Sequence, residues 1–477
     1  MTMTMKPKHI LALGLLALGL GSCGEGFFEQ YPSNNITEGN FYKTDDDFNQ
    51  GVVACYAKLK TQMSFHLTEI GYRSDENVLE SMAVSTQDRY DIDHFAETAS
   101  NGILNDIWDA WYNGIYRCND VLDHMAGAKI ANYDKYRGEC LFMRSWWYFN
   151  LYRVFGVVPI TRTVVAPAAA KLIPRCTEEE MYTLLTEDLA EAARLLPSTP
   201  GAEKARVANI AAYTLLAKVY LTFGKPAEAK TVLEEAMKNT AYGLESTTKK
   251  AFDVGNKMNK EIIFALYYNK TNDNGHGYWY SANTEVLADI RNPTPEFKAI
   301  YDGGKDNRLP LIGTYTKISS NLFAMTKWYD TYDATYTTQV GNDFPHLRYA
   351  DVVLMYAEAL AESGGSLGDA LVWLNKTRTR AGLDELTTDE VKSLAEFRRE
   401  LAAERGREFA LEGHRWFDLV RLGLAVDYFR GLGYTLDSHN LIFPIPQSQI
   451  EIVNNPSILW QNPGFCLLYT SPSPRDT

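Results

Sequence analysis

Apolar side chains recur every three or four positions along much of this chain, which is the spacing of amphipathic helices. The clearest case is NDIWDAWYNGIYRCNDVLDHM, whose apolar stripe comprises Ile107, Trp108, Trp111, Ile115, Cys118 and Leu122. A second helix is predicted in GECLFMRSWWYFNLYRVFG and ends at Gly156. A third begins after Thr177, a capping residue followed by acids, and ends at Pro197. The pattern therefore predicts a largely helical protein.

Two segments have the residue spacing of tetratricopeptide-like helix pairs. In AAYTLLAKVYLTFGKPAEAKTVLEEAM, the small residues Ala217, Ala229 and Ala236 let two helices approach closely, while Tyr220 and Leu233 fill the space between pairs. A looser copy, YADVVLMYAEALAESGGSLGDALVWLNKTR, fits if one residue is inserted in its turn. Such pairs must stack to bury their apolar faces, so we expect about four pairs, two of them degenerate and placed between residues 101 and 196.

Three regions between the predicted helices are irregular, at residues 64–100, 240–345 and 430–465. The longest is rich in Gly, Asn, Asp and Tyr, and within it only the stretch EIIFALYY is typical of a strand. Long ordered loops on a compact scaffold are uncommon and tend to carry function. The predicted fold is mostly α, with tetratricopeptide-like helix pairs as scaffold, long irregular loops and few short strands.

The N-terminus has the features of an export signal. Lys6 and Lys8 precede an apolar run from Ile10 to Leu20, which is too short to span a bilayer but suits the core of a signal peptide. The run ends in Leu20-Gly21-Ser22-Cys23, which resembles the bacterial lipobox. We therefore expect residues 1–22 to be a lipoprotein signal peptide and Cys23 to be lipidated, anchoring the protein to a membrane that it does not cross.

The last twelve residues, 466–477, differ in composition from the rest. The aromatic and apolar pattern stops at Phe465, and the stretch CLLYTSPSPRDT resembles the translation of a sequencing adapter. We interpret residues 466–477 as read-through that is not native. This leaves one predicted domain at 23–465, with an N-terminal half at 23–240 and a loop-rich ligand region and C-terminal half at 241–465.

Charge and cysteine usage exclude two classes of function. The formal net charge of −13, with no basic cluster, argues against nucleic-acid binding. Four internal cysteines lack the C-x-x-C spacing and the nearby histidines of a metal site, so no metal site is predicted. Whether these cysteines form disulfides in an exported protein is left open by the sequence. They are Cys55, Cys118, Cys140 and Cys176.

Motifs of catalysis give no support to an enzyme. The segment Gly364–Gly368 matches G-x-S-x-G, but a helical segment precedes it where a nucleophile elbow needs a strand, so we interpret it as the turn of a helical hairpin. No H-E-x-x-H or phosphate-binding glycine motif occurs. The block EFRRELAAERGREFALEGHRWFDLVRLG spaces Arg and Glu three and four apart, which we interpret as structural ion pairing along one helix face.

Aromatic residues in the irregular regions are the better site candidates. Flat rings among Asn, Asp and Thr suit sugars, whose C–H faces stack on the rings while their hydroxyls form hydrogen bonds. The alternative is that these rings pack the loops onto the scaffold. The candidates for ligand contact are Tyr72, Arg73, Tyr90, Tyr278, Trp279, Tyr280, Trp328 and Tyr329.

The ordered set of motifs resembles the SusD/RagB-like family of outer-membrane nutrient-binding lipoproteins, over essentially the whole chain before residue 466. After the lipobox come FFEQYPSNNITEGNFYKTDDDF and an Arg-aromatic helix running into GVVPI. Then follow LRYADVVLMYAEAL, LNKTRTRAGL, ERGREFALEGHRWFDLVRLG and LIFPIPQSQIEIVNNPSILWQNPGF, in the family's order.

The resemblance implies a helical platform whose loops form the ligand site, surface display on the outer membrane and a partner SusC-like TonB-dependent barrel. It implies capture of an oligosaccharide, or in some members a peptide, without catalysis and without a cofactor. The sequence does not decide whether calcium assists. The site residues are carried over only as a region, since members differ most in these loops.

Three other functions remain open at this point. Peptide capture would favour a cleft with backbone-pairing edges in place of stacked rings. A helical-repeat scaffold would only join other proteins, and mutation of Trp279 and Trp328 would then change no small-molecule binding. A helical glycoside hydrolase would need a carboxylate pair, and the many acids single out none.

Overall fold

The computed structural model describes residues 41–77, 79, 87–269, 271, 281–282, 293–301, 304–312, 315–319, 322–328 and 341–465. Cys23 and the adapter-like segment 466–477 lie outside these residues. The chain divides into a short unit, Met1–Asn49, and a main unit, Gln50–Thr477. In the short unit, the Thr44 hydroxyl accepts a hydrogen bond from the Asp47 backbone N–H at 3.2 Å, which caps the first helix.

Helices dominate the described residues, which confirms the predicted mostly α fold. In chain order they are α1 (Asp45–Gly71), α2 (Gln87–Asp93), α3 (Gly102–His124), α4 (Tyr133–Phe155), α5 (Pro167–Ala170), α6 (Glu178–Leu195), α7 (Asn209–Thr222), α8 (Pro226–Met237), α9 (Thr248–Ala251), α10 (Pro295–Ala299), α11 (Leu309–Ile312), α12 (Tyr349–Glu362), α13 (Leu367–Arg380), α14 (Leu394–Glu408), α15 (Arg415–Arg421), α16 (Ala425–Gly431) and α17 (Gln447–Val453). Short 3-10 turns lie at Val254–Asn256, Thr326–Trp328 and Ser438–Leu441.

The long helices of the main unit stack in chain order. Helix α3 packs on α4, α4 on α6, α6 on α7 and α7 on α8. The chain then leaves the stack and returns at α12, which packs on α8 and on α13. Each helix thus buries its apolar face between two neighbours, as stacked helix pairs require.

The two predicted helix pairs are present as α7–α8 and α12–α13. The small residues Ala217, Ala229 and Ala236 are buried at the first pair. The G-x-S-x-G segment forms the turn of the second pair, where Gly364 takes a φ of 84°. Ser366 caps α13 by accepting a hydrogen bond from the Asp369 N–H at 3.0 Å. These residues have structural roles, as the sequence indicated.

The two degenerate pairs expected between residues 101 and 196 are not present as such. Three long helices, α3, α4 and α6, occupy this stretch. The chain after Gly156 instead forms an extended connection, in which Pro159 and Arg175 make an isolated antiparallel bridge. Pro159 cannot continue a helix, and Gly156 adopts a φ of 72°, so the helix must end there.

Within the part of the chain that the structure describes, two small sheets accompany the helices. Strand β1 (Ile262–Leu266), predicted from EIIFALYY, pairs antiparallel with β5 (Phe344–Arg348). Strands β2 (Ser281–Ala282), β3 (Tyr315–Ser319) and β4 (Leu322–Met325) form a second sheet in the order β2-β4-β3. Among the described residues, no helix has the length and apolarity needed to cross a membrane.

Buried ion pairs connect β5 to the helices around it. Arg348 is 1% exposed and donates to Glu261 at 2.6 Å, to Glu408 at 3.0 Å and to Glu412 at 2.8 Å. Glu408 also pairs with Arg308 and with Arg380. The Arg- and Glu-rich block forms the predicted pairs along its helices, at Glu404–Arg407 and Asp418–Arg421, and it also pairs with other elements in the interior. A buried guanidinium needs several acceptors, and neighbouring elements supply them.

The four internal cysteines are all buried. Cys55, Cys118, Cys140 and Cys176 are free thiols in this structure. The first three lie on α1, α3 and α4, whose packing brings their sulfurs within hydrogen-bonding contact. They contribute to the core as small apolar side chains.

Candidate functional site

Half of the predicted ligand-contact residues belong to the described part of the chain. Tyr278, Trp279, Tyr280 and Tyr329 lie outside the described residues, and their predicted role remains a prediction. The described candidates are Tyr72, Arg73, Tyr90 and Trp328, which lie in different environments.

Arg73 lies in the interior, with 1% of its surface exposed. Its guanidinium carbon lies 4.7 Å from the Phe95 ring centroid, 5.4 Å from that of Trp416 and 4.2 Å from that of Phe443. It forms an ion pair with buried Glu97, and its Nη1 donates to the Asn440 carbonyl at 3.2 Å. Arg73 therefore joins the turn after α1 to the turn at Ser438–Leu441.

Tyr72 and Trp328 are also interior residues, 2% and 0% exposed. The ring of Trp328 packs edge-on against Phe252 at 5.3 Å and tilted against Phe344 at 6.1 Å. Tyr72 follows directly on α1, where the helix has already entered the core. In this structure the two rings and the Arg73 side chain are all buried away from solvent. These three side chains therefore fill space in the core.

Tyr90 is the one described candidate at the surface. It is half-buried on α2, and its ring stacks on that of His94 with centroids 3.8 Å apart and an interplanar angle of 19°. The neighbouring Arg89 holds α2 against α1 through a two-pronged pair with Glu69, at 2.6 and 2.9 Å. The Tyr90–His94 stack therefore belongs to a helix that an ion pair holds against α1.

The chain after Tyr90 leads to a surface cleft of about 460 Å³, here called the Tyr434 cleft. It is lined by Phe95, Arg430, Tyr434, Thr435, Leu436, Asp437, His439 and Asn440. Tyr434 is half-buried, and its ring meets Phe95 and Phe429 edge-on at 5.5 and 5.7 Å. The buried aromatic cluster beneath thus fixes the orientation of this ring.

Polar groups surround the ring in the Tyr434 cleft. Asp437 is exposed, and the His439 backbone N–H holds the pKa of its carboxyl below the ordinary range. His439 Nδ1 lies 2.5 Å from Asp437 Oδ1, and Arg430 Nε donates to the Leu436 carbonyl at 2.9 Å. Burial raises the pKa of Tyr434 to about 12, so its hydroxyl stays neutral. The cleft offers an oriented ring beside a carboxylate, an imidazole and a guanidinium.

This arrangement can hold a ligand that has both apolar faces and hydroxyls. The ring accepts a stacked C–H face, and the charged groups accept or donate hydrogen bonds at its edge. Among the described residues, no cluster of three or more His, Cys, Asp or Glu side chains has the geometry to hold a metal ion.

Tyr434 was not among the residues selected from the sequence. It lies in GLGYTLDSHN, where glycines, one aromatic ring and several small polar residues occur together, as in the candidate loops. The irregular region 430–465 was recognised, but the chain pattern did not show that Phe95, distant in sequence, lies beneath this ring.

Two family models match the chain. One, described as the SusD family, matches residues 309–465, and the other, described as starch-binding associating with outer membrane, matches residues 32–221. A relative named SusD-like protein P2 from Formosa agariphila is 26% identical over 511 residues, covering 96% of this chain and 100% of the relative. The starch-binding protein SusD of Bacteroides thetaiotaomicron is 34% identical over 154 residues, covering 30% of this chain and 26% of the relative.

Solved structures show the same fold. A laminarin-binding SusD-like protein superposes with a TM-score of 0.74 at 24% identity, covering 89% of this chain and 100% of that one. Surface glycan-binding protein A from Bacteroides fluxus superposes with a TM-score of 0.72 at 21% identity, covering 88% and 100%.

Proposed function

We propose that this chain, which belongs to the SusD/RagB-like family, binds oligosaccharide nutrients at the outer membrane and delivers them to a SusC-like TonB-dependent barrel. The observation that carries the binding step is the Tyr434 cleft, where an aromatic ring is held in place among polar groups. Two solved structures with the same fold are named as a laminarin-binding protein and a surface glycan-binding protein, which supports a carbohydrate ligand.

The chemistry of the cleft suits capture and release. A sugar ring stacking on Tyr434 gains modest binding energy, and hydrogen bonds to Asp437, His439 and Arg430 set its orientation. Asp437 is ionised at neutral pH, since its pKa lies below an already acidic ordinary value, so it accepts hydrogen bonds from ligand hydroxyls. We propose binding without turnover, which the glycan-binding names of structures with the same fold support.

Delivery requires a position on the membrane. We infer that Cys23 carries the acyl anchor, that the main unit is displayed at the cell surface, and that the barrel takes the ligand from it. A Cys23→Ser variant should appear in the soluble fraction of cells. Retention of that variant in the outer membrane would contradict the lipid anchor.

Calorimetric titration of the full chain tests the binding step. Plant, host and microbial oligosaccharides form the panel, with an oligopeptide pool alongside. Saturable binding of one glycan class, with the glycan recovered intact, supports the proposal. A response to peptides alone would assign the chain to peptide capture, and shortened glycan products would indicate a hydrolase.

A variant links the binding to the cleft. Tyr434→Ala should weaken glycan binding by about tenfold, because the stacking face is lost. Tyr116→Ala is the matched control, since Tyr116 is 48% exposed and does not line the cleft. Equal affinities of the two variants would place the ligand elsewhere.

A further inference from the structure

A second cavity, here called the Arg153 cavity, lies among α4, α7, α12, α14 and α15. Its volume is about 410 Å³, within the range of small-molecule sites. Four cationic side chains reach it or border it: Arg153 from α4, Lys218 from α7, Arg405 from α14 and Arg421 from α15. No residue of the Tyr434 cleft lines it.

Three of the four cations are paired with carboxylates. Lys218 Nζ lies 2.6 Å from Asp351, and Arg405 contacts Asp351 at 2.9 Å and Asp418 at 2.7 Å. Arg421 pairs with Asp418 at 3.0 Å and with Glu358. The three positive charges are thus matched by the three negative charges of Asp351, Asp418 and Glu358.

Arg153 is the cation left over. It forms no ion pair within the described part of the chain, and its Nε has no hydrogen-bond partner there. Its Nη2 donates to the Asn150 side chain, and its guanidinium lies 4.7 Å from the Phe149 ring centroid and 3.9 Å from that of Phe417. Burial lowers its pKa to about 9, so it is still charged at neutral pH.

Asp418 and Asp351 are the carboxylates whose charge favours the protonated form of Arg153 and raises its pKa, but both are already paired with other cations, Asp351 with Lys218 and Arg405 and Asp418 with Arg405 and Arg421. The pKa of His414 is held well below its ordinary value by burial, so this ring is neutral. Glu178, the remaining acid of the lining, is exposed at the rim, where its carboxylate accepts a hydrogen bond from the Tyr152 hydroxyl. An unpaired cation beside a cavity is costly, and an anionic ligand would remove that cost.

Much of the remaining cavity wall is apolar, and Tyr152 and Thr222 add hydroxyl groups to it. Carbon surface comes from five lining residues, Phe149, Met355, Phe417, Leu441 and Ile442, of which the last two are half-buried. A ligand with one negative charge and an apolar body fits this combination of groups. A guanidinium binds a planar carboxylate through two parallel hydrogen bonds, which suits a carboxylate as the charged group.

We propose that the Arg153 cavity is a binding site for a small monocarboxylate with an apolar body, separate from the Tyr434 cleft. The carboxylate would pair with Arg153 and the body would lie between Phe149, Phe417 and Met355. This site does not depend on the proposed glycan function.

Calorimetry of the full chain with benzoate tests the site, because benzamide has the same shape without the charge. Benzoate should bind saturably and benzamide should not. Arg153→Met keeps packing on the two phenylalanines and should weaken benzoate binding by at least about tenfold. Arg162→Met is the matched control, since Arg162 pairs with Glu187 at the surface and lies outside the lining.

Two further variants separate the possible outcomes. Thr222→Phe adds a ring to the lining without changing any charge, and it should also weaken benzoate binding. Tyr434→Ala should leave benzoate binding unchanged, so failure of the glycan proposal would not affect this result. Thermal unfolding of each variant verifies that it folds. The proposal would be overturned if benzoate does not bind, or if benzamide binds as well as benzoate does. It would also be overturned if folded Arg153→Met binds benzoate as tightly as the original chain, or if glucuronate binds more tightly than benzoate.

Discussion

Asp75 and Arg415 are 340 residues apart in sequence and form a buried two-pronged ion pair. Arg415 Nε and Nη2 lie 3.0 and 3.1 Å from the two carboxylate oxygens of Asp75. The Tyr428 hydroxyl donates to the same carboxylate at 2.5 Å. The pair joins the turn after α1 to the start of α15.

The first prediction concerns this pair. Asp75→Asn removes the carboxylate and leaves the buried Arg415 uncompensated, so the free energy of unfolding should fall by about 3–5 kcal/mol. Urea denaturation measures it. Glu187→Gln, which breaks the exposed pair with Arg162, is the control and should cost less than about 1 kcal/mol. Similar losses in both variants would mean that the Asp75 pair is not a main stabilising contact.

The second prediction concerns the dependence of stability on pH. Burial raises the pKa of Glu76 to about 8, and the charge of Asp75 adds to the rise. The folded state keeps a proton that the unfolded chain releases near pH 4.5. The free energy of unfolding should therefore decrease as pH rises from about 4.5 to about 8, by up to ~1.4 kcal/mol per pH unit.

Other buried carboxyls also contribute to the pH dependence of the free energy of unfolding in that range. Burial raises the pKa of Asp93 and Glu139 to about 7 each, which gives a slope of the same sign. The pKa values of Asp418 and Glu408 are lowered by neighbouring arginines, so their stabilisation is lost only in acid. Glu76→Gln should flatten the profile measured by urea denaturation, and an unchanged slope would show that Glu76 does not titrate there.

The third prediction concerns the contact between α3 and α4. Gly114 faces Trp147 so closely that a Cβ added at Gly114 would overlap the indole. Gly114→Ala should lower the free energy of unfolding by at least about 1–3 kcal/mol, because Trp147 is fully buried and has no room to move. Gly243→Ala, where nothing lies within 4 Å of the added carbon, should change it by about 0.5 kcal/mol or less. Equal melting temperatures would contradict the close packing.

The fourth prediction distinguishes the ring of Tyr434 from its hydroxyl. If stacking provides most of the binding energy, Tyr434→Phe should keep glycan affinity within about threefold of the original while Tyr434→Ala loses about tenfold. Calorimetry with the glycan identified from the panel measures both. A loss in Tyr434→Phe as large as that in Tyr434→Ala would assign the binding to the hydroxyl instead.

Much of the helical scaffold could be predicted from the sequence, because its signals are local. Spacing of Ala217, Ala229 and Ala236 defined one helix pair, and the glycines before Ser366 indicated the turn of another. Strand β1 was predicted for the same reason, since a short run of large apolar residues lies between polar segments.

The environment of the site could not be predicted in the same way, because it depends on residues far apart in sequence. Arg73 was predicted as a ligand-contact candidate in an irregular region, but Phe95, Trp416 and Phe443 enclose it. Trp328 likewise became a core residue through Phe252 and Phe344. The periodicity of the sequence indicates which residues are apolar. It does not indicate which element, distant in sequence, packs over them.

The pairing of β1 with β5 has a consequence for how relatives of this protein could diverge. Arg348 and Glu261 close the base of the long excursion between α8 and α12, and Lys257 pairs with Asp343 nearby at 2.8 Å. Since the two ends are held together, the intervening residues can change in length at a small entropic cost that grows only slowly. The excursion can therefore change in length without refolding the helical stack.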